Sequence, residues 1–267
     1  MASPITLNDN KVALGLLVDK SGSMSAMDTR EVCASLNNLI DEQMKTGKEI
    51  LVWLSTFDDK YDTIYKGIEG KDAKVRRAYI NPRGLTAIYD AMNTFITDLG
   101  ADLRDMSDRP GKVVVVILTD GEENSSKMTD RTKVMDMVRE QQEKYSWEFV
   151  FLGANQDAIG NGAKMGIDSN AACTFDYSAA GCARVLRSTS NAVARAISGQ
   201  TPRVEFTQEE RDESQMVAPV PDSHHDSFEL TSMPFAQNPY DEDDDEESQV
   251  TRTNAGLNSN YVFHKNI

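Results

Sequence analysis

The 267-residue chain is short of several things, and each shortage argues against a class of function. Its three cysteines, Cys33, Cys173 and Cys182, are odd in number and lack metal-ligand spacing. They suit neither a disulfide framework nor a thiolate zinc site, and read as small reduced core residues. Its three histidines, His224, His225 and His264, lie far downstream. Residues 11–198 contain none, so no Ser-His-Asp triad can form there. No Gly-x-x-x-x-Gly-Lys phosphate loop occurs. The longest strongly apolar run, residues 113–118, is far too short to span a bilayer. The opening Met-Ala-Ser-Pro-Ile-Thr lacks the basic and apolar regions of a secretory leader, so a soluble cytoplasmic protein is expected. Positive charge is scarce as well. Against 43 Asp and Glu stand 28 Lys and Arg, a formal charge of −15, and neither nucleic acid nor a membrane is expected as a partner.

The charge is also unevenly spread. From residue 201 onward there are about 4 basic and 15 acidic residues, including the run 241–247. Residues 207–252 are polar and carry Pro219, Pro221, Pro234 and Pro239. Repulsion within such a segment opposes burial of a core. The expected organisation is a domain over residues 1–200 and an acidic, proline-containing tail over 201–267, extended or disordered when alone. Phe228, Leu230, Met233, Phe235, Tyr261, Val262 and Phe263 are its candidate anchors to a partner.

What is present before residue 200 alternates. Aliphatic runs predict strands over residues 11–18, 49–57, 61–65, 112–118, 147–152 and 173–177. Apolar residues at helical spacing predict helices over 29–45, 86–103, 129–145, 158–165 and 180–197. Residues 67–83 read as irregular, and 104–111 as a loop. This alternation implies an α/β fold, a mostly parallel sheet covered by helices on both faces. In such sheets ligands bind beyond the carboxyl ends of the strands.

The stretch Val18-Asp19-Lys20-Ser21-Gly22-Ser23-Met24 leaves the first of those ends. Asp19, Ser21 and Ser23 are oxygen side chains at alternate positions in a turn that Gly22 permits. Small hard oxygen donors suit Mg²⁺. Two later stretches complete the pattern, Gly84-Leu85-Thr86 and Leu118-Thr119-Asp120-Gly121.

With Asp-x-Ser-x-Ser, then Thr86, then Asp120-Gly121, residues 11–198 resemble the von Willebrand factor A (vWA) family and its metal-ion-dependent adhesion site, MIDAS. The resemblance implies a Rossmann-like vWA fold whose mostly parallel central sheet has one antiparallel edge strand. It also implies a metal set of Asp19, Ser21, Ser23, Thr86 and Asp120. Ser21 and Ser23 would bind the ion directly, and Thr86 directly or through water. Asp19 and Asp120 would hold it through bound waters. The ion implied is Mg²⁺, with Mn²⁺ or Ca²⁺ as substitutes. The implied activity is capture of an Asp or Glu from another protein rather than turnover of a substrate. A glycine pair often precedes the threonine in that family, and this chain has Gly84-Leu85 instead.

Several residues have plainer readings. Glu122 and Glu123 fit a solvated loop, Asn155 a helix cap, Asp58 a hairpin turn and the helical methionines core filler. An enzyme is not expected. A phosphoryl-transfer aspartate at position 19 usually wants a second acid two residues on, where this chain has Ser21. The partner could belong to an AAA-type ATPase or another multi-subunit assembly. The alternative is a structural component, such as a phage virion protein, anchored by its tail.

Overall fold

The computed structural model describes residues 6–154 and 157–216. The chain divides into a unit Met1–Pro219 and a unit Val220–Ile267, and the second lies wholly outside the described residues. The expectations for Asn155, for the apolar anchors and for the acidic run fall outside them too.

Among the described residues, six strands form one sheet: β1 (Thr6–Asp19), β2 (Glu49–Phe57), β3 (Tyr61–Glu69), β4 (Asp108–Thr119), β5 (Glu148–Ala154) and β6 (Ala172–Phe175). Their order is β3-β2-β1-β4-β5-β6. All neighbours are parallel except the edge pair β2 and β3. The helices are α1 (Thr29–Met44), α2 (Ile88–Asp105), α3 (Arg131–Tyr145), α4 (Ala158–Lys164), α5 (Ala179–Ile197) and α6 (Gln208–Gln215). No helix among the described residues is long and apolar enough to cross a membrane.

The central strand shows why its sequence is apolar without a break. Val12, Leu14, Leu16 and Val18 pack with α1 and α5 on one face, while Ala13 and Leu17 pack with α2 and α3 on the other. A parallel strand covered on both sides has no polar face to alternate with. At Gly15 a β-carbon would lie 2.9 Å from two carbons of the Phe95 ring, so glycine there lets α2 sit close to the sheet.

The sheet order positions the site. From β1 the chain moves outward to β2 and β3, and from β4 it moves outward in the opposite sense to β5 and β6. β1 and β4 are therefore neighbours at the point of reversal, and the crevice beyond their carboxyl ends is where such sheets bind ligands.

Three expectations are corrected. The stretch 104–111 is not all loop, because β4 begins at Asp108 and pairs Asp108–Pro110 with Thr6–Asn8. A register shift between Asn8 and Val12 separates this polar ribbon from the buried sheet, so the ribbon carries no apolar signal. The stretch 67–83 is not wholly irregular, because β3 continues through Gly67, at φ +63°, to Glu69. Irregular register against β2 and a half-exposed edge position blur its period.

The third correction concerns residues 201–216. They fold onto the domain instead of leaving it. Val204 and Phe206 are buried, and the Arg211 guanidinium sits 5.6 Å from the centre of the Phe206 ring. Arg195 of α5 grips Glu210 of α6 with two parallel bonds, Nη1 to Oε1 at 2.7 Å and Nη2 to Oε2 at 2.8 Å. Glu210 also closes a capping box, accepting from the Thr207 N–H at 2.9 Å while its own N–H donates to Thr207 Oγ1 at 3.2 Å. Polar composition concealed this helix because its anchor is an ion pair rather than an apolar stripe.

Burial alone would raise the Glu210 pKa, but Arg195 and Thr207 outweigh it and hold the carboxyl below its ordinary range. A depressed carboxylate stabilises the fold fully above the unfolded value, about 4.3. That contribution fades as pH falls through the lower folded value. Glu210→Gln is therefore expected to be less stable than wild type near neutrality, with the gap closing between about pH 5 and pH 3. Urea denaturation across that range reads the gap, and a constant difference would reject this ion pair as its cause.

Candidate metal centre

β1 and β4 run in register with Val18 opposite Leu118, so Asp19 and the Thr119-Asp120 turn leave the sheet side by side. Asp19 has no exposed surface, and both its oxygens are engaged. Oδ1 accepts from the Ser21 N–H at 2.6 Å, which shapes the loop after β1. Oδ2 accepts from Thr119 Oγ1 at 2.6 Å, which ties β1 to β4.

The sequence-derived set converges here. Ser21 Oγ lies 3.1 Å from Ser23 Oγ, and Ser23 Oγ donates to Asp120 Oδ1 at 2.7 Å. Thr86 is buried, and a β-carbon built on Gly121 would lie 2.8 Å from Thr86 Oγ1 and 3.5 Å from Ser23 Oγ. These two hydroxyls thus flank the bare Cα of Gly121. Asp120 Oδ2 is buried and has no hydrogen-bond partner. Among the described residues no group of three or more His, Cys, Asp or Glu side chains is gathered to hold a metal. The donors in this cluster are three hydroxyls and two carboxylates.

Buried Asp19 and half-buried Asp120 stand at neighbouring strand ends, and the charge of Asp120 acts on Asp19. Burial chiefly pushes Asp19 up to about 6, against the pull of Thr119 and Ser21, and the charge of Asp120 adds to the rise. Burial likewise raises Asp120, opposed by Ser23 and Tyr177. Tyr177 is pushed up to about 12 by burial first and by the Asp120 charge next. Its hydroxyl donates to the Ser23 carbonyl, so the segment after β6 braces the loop after β1.

The Thr86 loop is held from three sides. Gly22 N–H donates to the Gly84 carbonyl at 3.1 Å, joining it to the first loop. Gly84 has φ +67°, and a side chain there would also run into Asp59, so glycine is required. Asn124 Oδ1 accepts from the Thr86 N–H at 2.9 Å, and the Thr86 carbonyl accepts from the N–H groups of Asn124 and Ser125 at 3.0 and 3.2 Å.

Asp58 brackets the same loop. Its carboxylate accepts from the Lys60 N–H at 2.6 Å and from Arg83 Nε at 2.8 Å, and its carbonyl accepts from the Ala87 N–H at 3.0 Å. Asp58 is thus a hairpin-turn residue that also fixes the approach to Thr86. The solvated-loop expectation stands uncontradicted for exposed Glu122 and is corrected for Glu123, whose carboxylate is bonded to its own loop and to α2. Sequence reasoning also passed over Thr119, Asn124 and Tyr177. Thr119 lies inside the Thr-Asp-Gly turn and was within reach. Tyr177 carries no local signal, because only the packing of β6 brings it to Ser23.

Thr119→Val keeps the volume of the side chain and removes the donor to a buried carboxylate. It is expected to cost about 1–3 kcal/mol in urea denaturation, whereas Thr119→Ser retains most of the stability. Equal stability of the valine variant would show that the bond contributes nothing.

No family model matches the chain, and no curated protein matches it. Among solved structures it is similar to proximal thread matrix protein 1 from the mussel byssus, at 14% identity and TM-score 0.51 over 69% of this chain and 46% of that one. It is similar also to the open conformation of the pilus adhesin SpaC from Lactobacillus rhamnosus GG, at 14% identity and TM-score 0.53 over 70% of this chain and 30% of that one. A von Willebrand factor type A structure from Catenulispora acidiphila matches at 13% identity and TM-score 0.46, over 69% and 43% of the two chains. The chain spans less than half the length of each of these three. At such identities the likeness is one of fold alone, a mostly parallel α/β sheet with one antiparallel edge strand.

Proposed function

We propose that the chain is a non-enzymatic, Mg²⁺-dependent protein-binding module that captures a carboxylate of a partner protein at the Asp19, Ser21, Ser23, Thr86 and Asp120 cluster. One observation carries the reading. One carboxylate oxygen, Asp120 Oδ2, is buried with no hydrogen-bond partner, while the other accepts from Ser23 Oγ. Among the described residues seven buried side-chain polar atoms lack a partner, and this is the one carboxylate oxygen among them; a cation is one kind of partner that would satisfy it. The donors around it are all oxygens, the kind that Mg²⁺ takes and that a thiophilic metal does not.

Ser21, Ser23 and Thr86 would hold the ion, with Asp19 and Asp120 placed to balance its charge. Neutral hydroxyls in contact would leave a bound ion most of its positive charge for an incoming carboxylate. The protein side of this work is done by the loops. Asp19 orients the Ser21 backbone, Asp120 orients the Ser23 hydroxyl, and Gly121 keeps the space beside Thr86 free of a side chain.

Calorimetric titration of the full chain with MgCl₂ and MnCl₂ tests the reading. Wild type is expected to show saturable uptake that Asp19→Ala abolishes. Because Asp19 is buried, Ser23→Ala at an exposed position serves as the variant that keeps the fold. Gly121→Ala, whose methyl would crowd Thr86 Oγ1, is expected to weaken uptake without removing a donor. No saturable uptake by wild type, or uptake indifferent to all three substitutions, overturns the proposal.

A further inference from the structure

Thr86 and Asp120 come from different loops; Asn124 and Ser125 join them at Thr86, and a carboxylate outside the metal set joins them again at the start of α2. Helix α2 starts with Ala87 at its cap position, and no side chain of its own caps it. Its first N–H groups need acceptors, because nothing within a helix can supply them. The loop between β4 and α3 supplies them instead. Glu123 Oε2 accepts from the Tyr89 N–H at 3.1 Å, and Ser126 Oγ accepts from the Asp90 N–H at 3.1 Å.

Glu123 simultaneously folds its own loop. Its Oε1 accepts from the N–H groups of Ser125 and Ser126 at 2.9 and 2.7 Å, and its Oε2 accepts from Ser126 Oγ at 2.7 Å. Asp90 returns the contact by accepting from the Lys127 N–H at 2.8 Å and the Met128 N–H at 3.0 Å. A negative carboxylate at a helix N-terminus is favoured further by the helix dipole. Every one of these bonds joins the segment carrying Asp120 to the segment carrying Thr86, or shapes one of them for the join.

We propose that Glu123 is a positioning residue: by capping α2 from the neighbouring loop, it locks Thr86 and Asp120 into one rigid unit. The inference rests on the Mg²⁺ reading for its effect on metal, while the mechanical coupling stands by itself. The unit would meet an ion with Thr86 and Asp120 already in place beside the Ser21 and Ser23 loop, which Asp19 and Tyr177 hold from the other side.

The test compares Glu123→Ala with Glu122→Ala in the full chain. The two substitutions remove the same charge from adjacent positions, but only Glu123 holds the bonds above. Amide hydrogen exchange is measured at Thr86, Tyr89, Asp90 and Ser125 in chelator-treated protein, and Mg²⁺ and Mn²⁺ affinities are measured by calorimetry. Expected are faster exchange at these amides and affinity weakened about 10- to 100-fold in Glu123→Ala, with both close to wild type in Glu122→Ala. Glu123→Gln, which keeps one acceptor oxygen, is expected to fall between.

Unchanged exchange in Glu123→Ala overturns the coupling. Faster exchange with unchanged affinity overturns the positioning role while leaving the metal reading intact. Equal losses in both alanine variants would assign the effect to charge and also overturn it. If wild type takes up no metal, the proposed function falls, and the exchange data alone decide whether Glu123 fuses the loops.

Discussion

Asp19 is an ionisable group sealed from water at the reversal point of a parallel sheet, and the loops around it are built to satisfy it. A carboxylate in that position is costly unless hydrogen bonds meet it. Here one oxygen is met by the backbone of its own loop and the other by a threonine hydroxyl from the neighbouring strand. Those two bonds turn the end of β1 into a joint. The first shapes the loop that carries Ser21 and Ser23 toward the β4 turn, and the second ties the ends of β1 and β4 together.

The rest of the candidate centre follows from that joint. Ser23 reaches Asp120 because both loops start from adjacent strand ends, and Tyr177 braces the first of those loops. Thr86 enters on a third loop, clamped by Asp58 and Asn124. Hydroxyls and carboxylates are thereby held by backbone N–H groups and neighbouring side chains rather than by a flexible surface. Such a frame is what a hard cation site requires, because ligand positions must be kept before the ion can offset the repulsion between two acids. The fold does not by itself decide what the site does, since one architecture carries many activities.

Much of this was legible in the chain. The buried strands announce themselves as aliphatic runs, and the Asp-x-Ser-x-Ser, threonine and Thr-Asp-Gly stretches carry oxygen side chains that the fold brings near one another. What was not legible shares one physical cause. The helix Gln208–Gln215 is anchored by Arg195 and Glu210, the α2 cap comes from Glu123, and the Thr86 loop is steadied by Asp58. Each is a polar residue whose partner is distant in sequence, and a polar residue read alone looks solvated. The β4 extension to Asp108 was hidden similarly, because its pairing with Thr6–Asn8 is a backbone matter that leaves no apolar trace.

The sequence by itself determined the α/β alternation, the two-sided burial of the central strands and the identity of the oxygen side chains at their ends. These follow from local pattern, which is set by side-chain volume, polarity and spacing along the chain. Only the tertiary structure decided which loops meet and which oxygen of Asp120 is left without a partner. It also decided that Glu123 and Tyr177 belong to the neighbourhood of the site. Those outcomes depend on the order in which strands enter the sheet, and hydrogen bonds between distant loops have no period that a sequence can display.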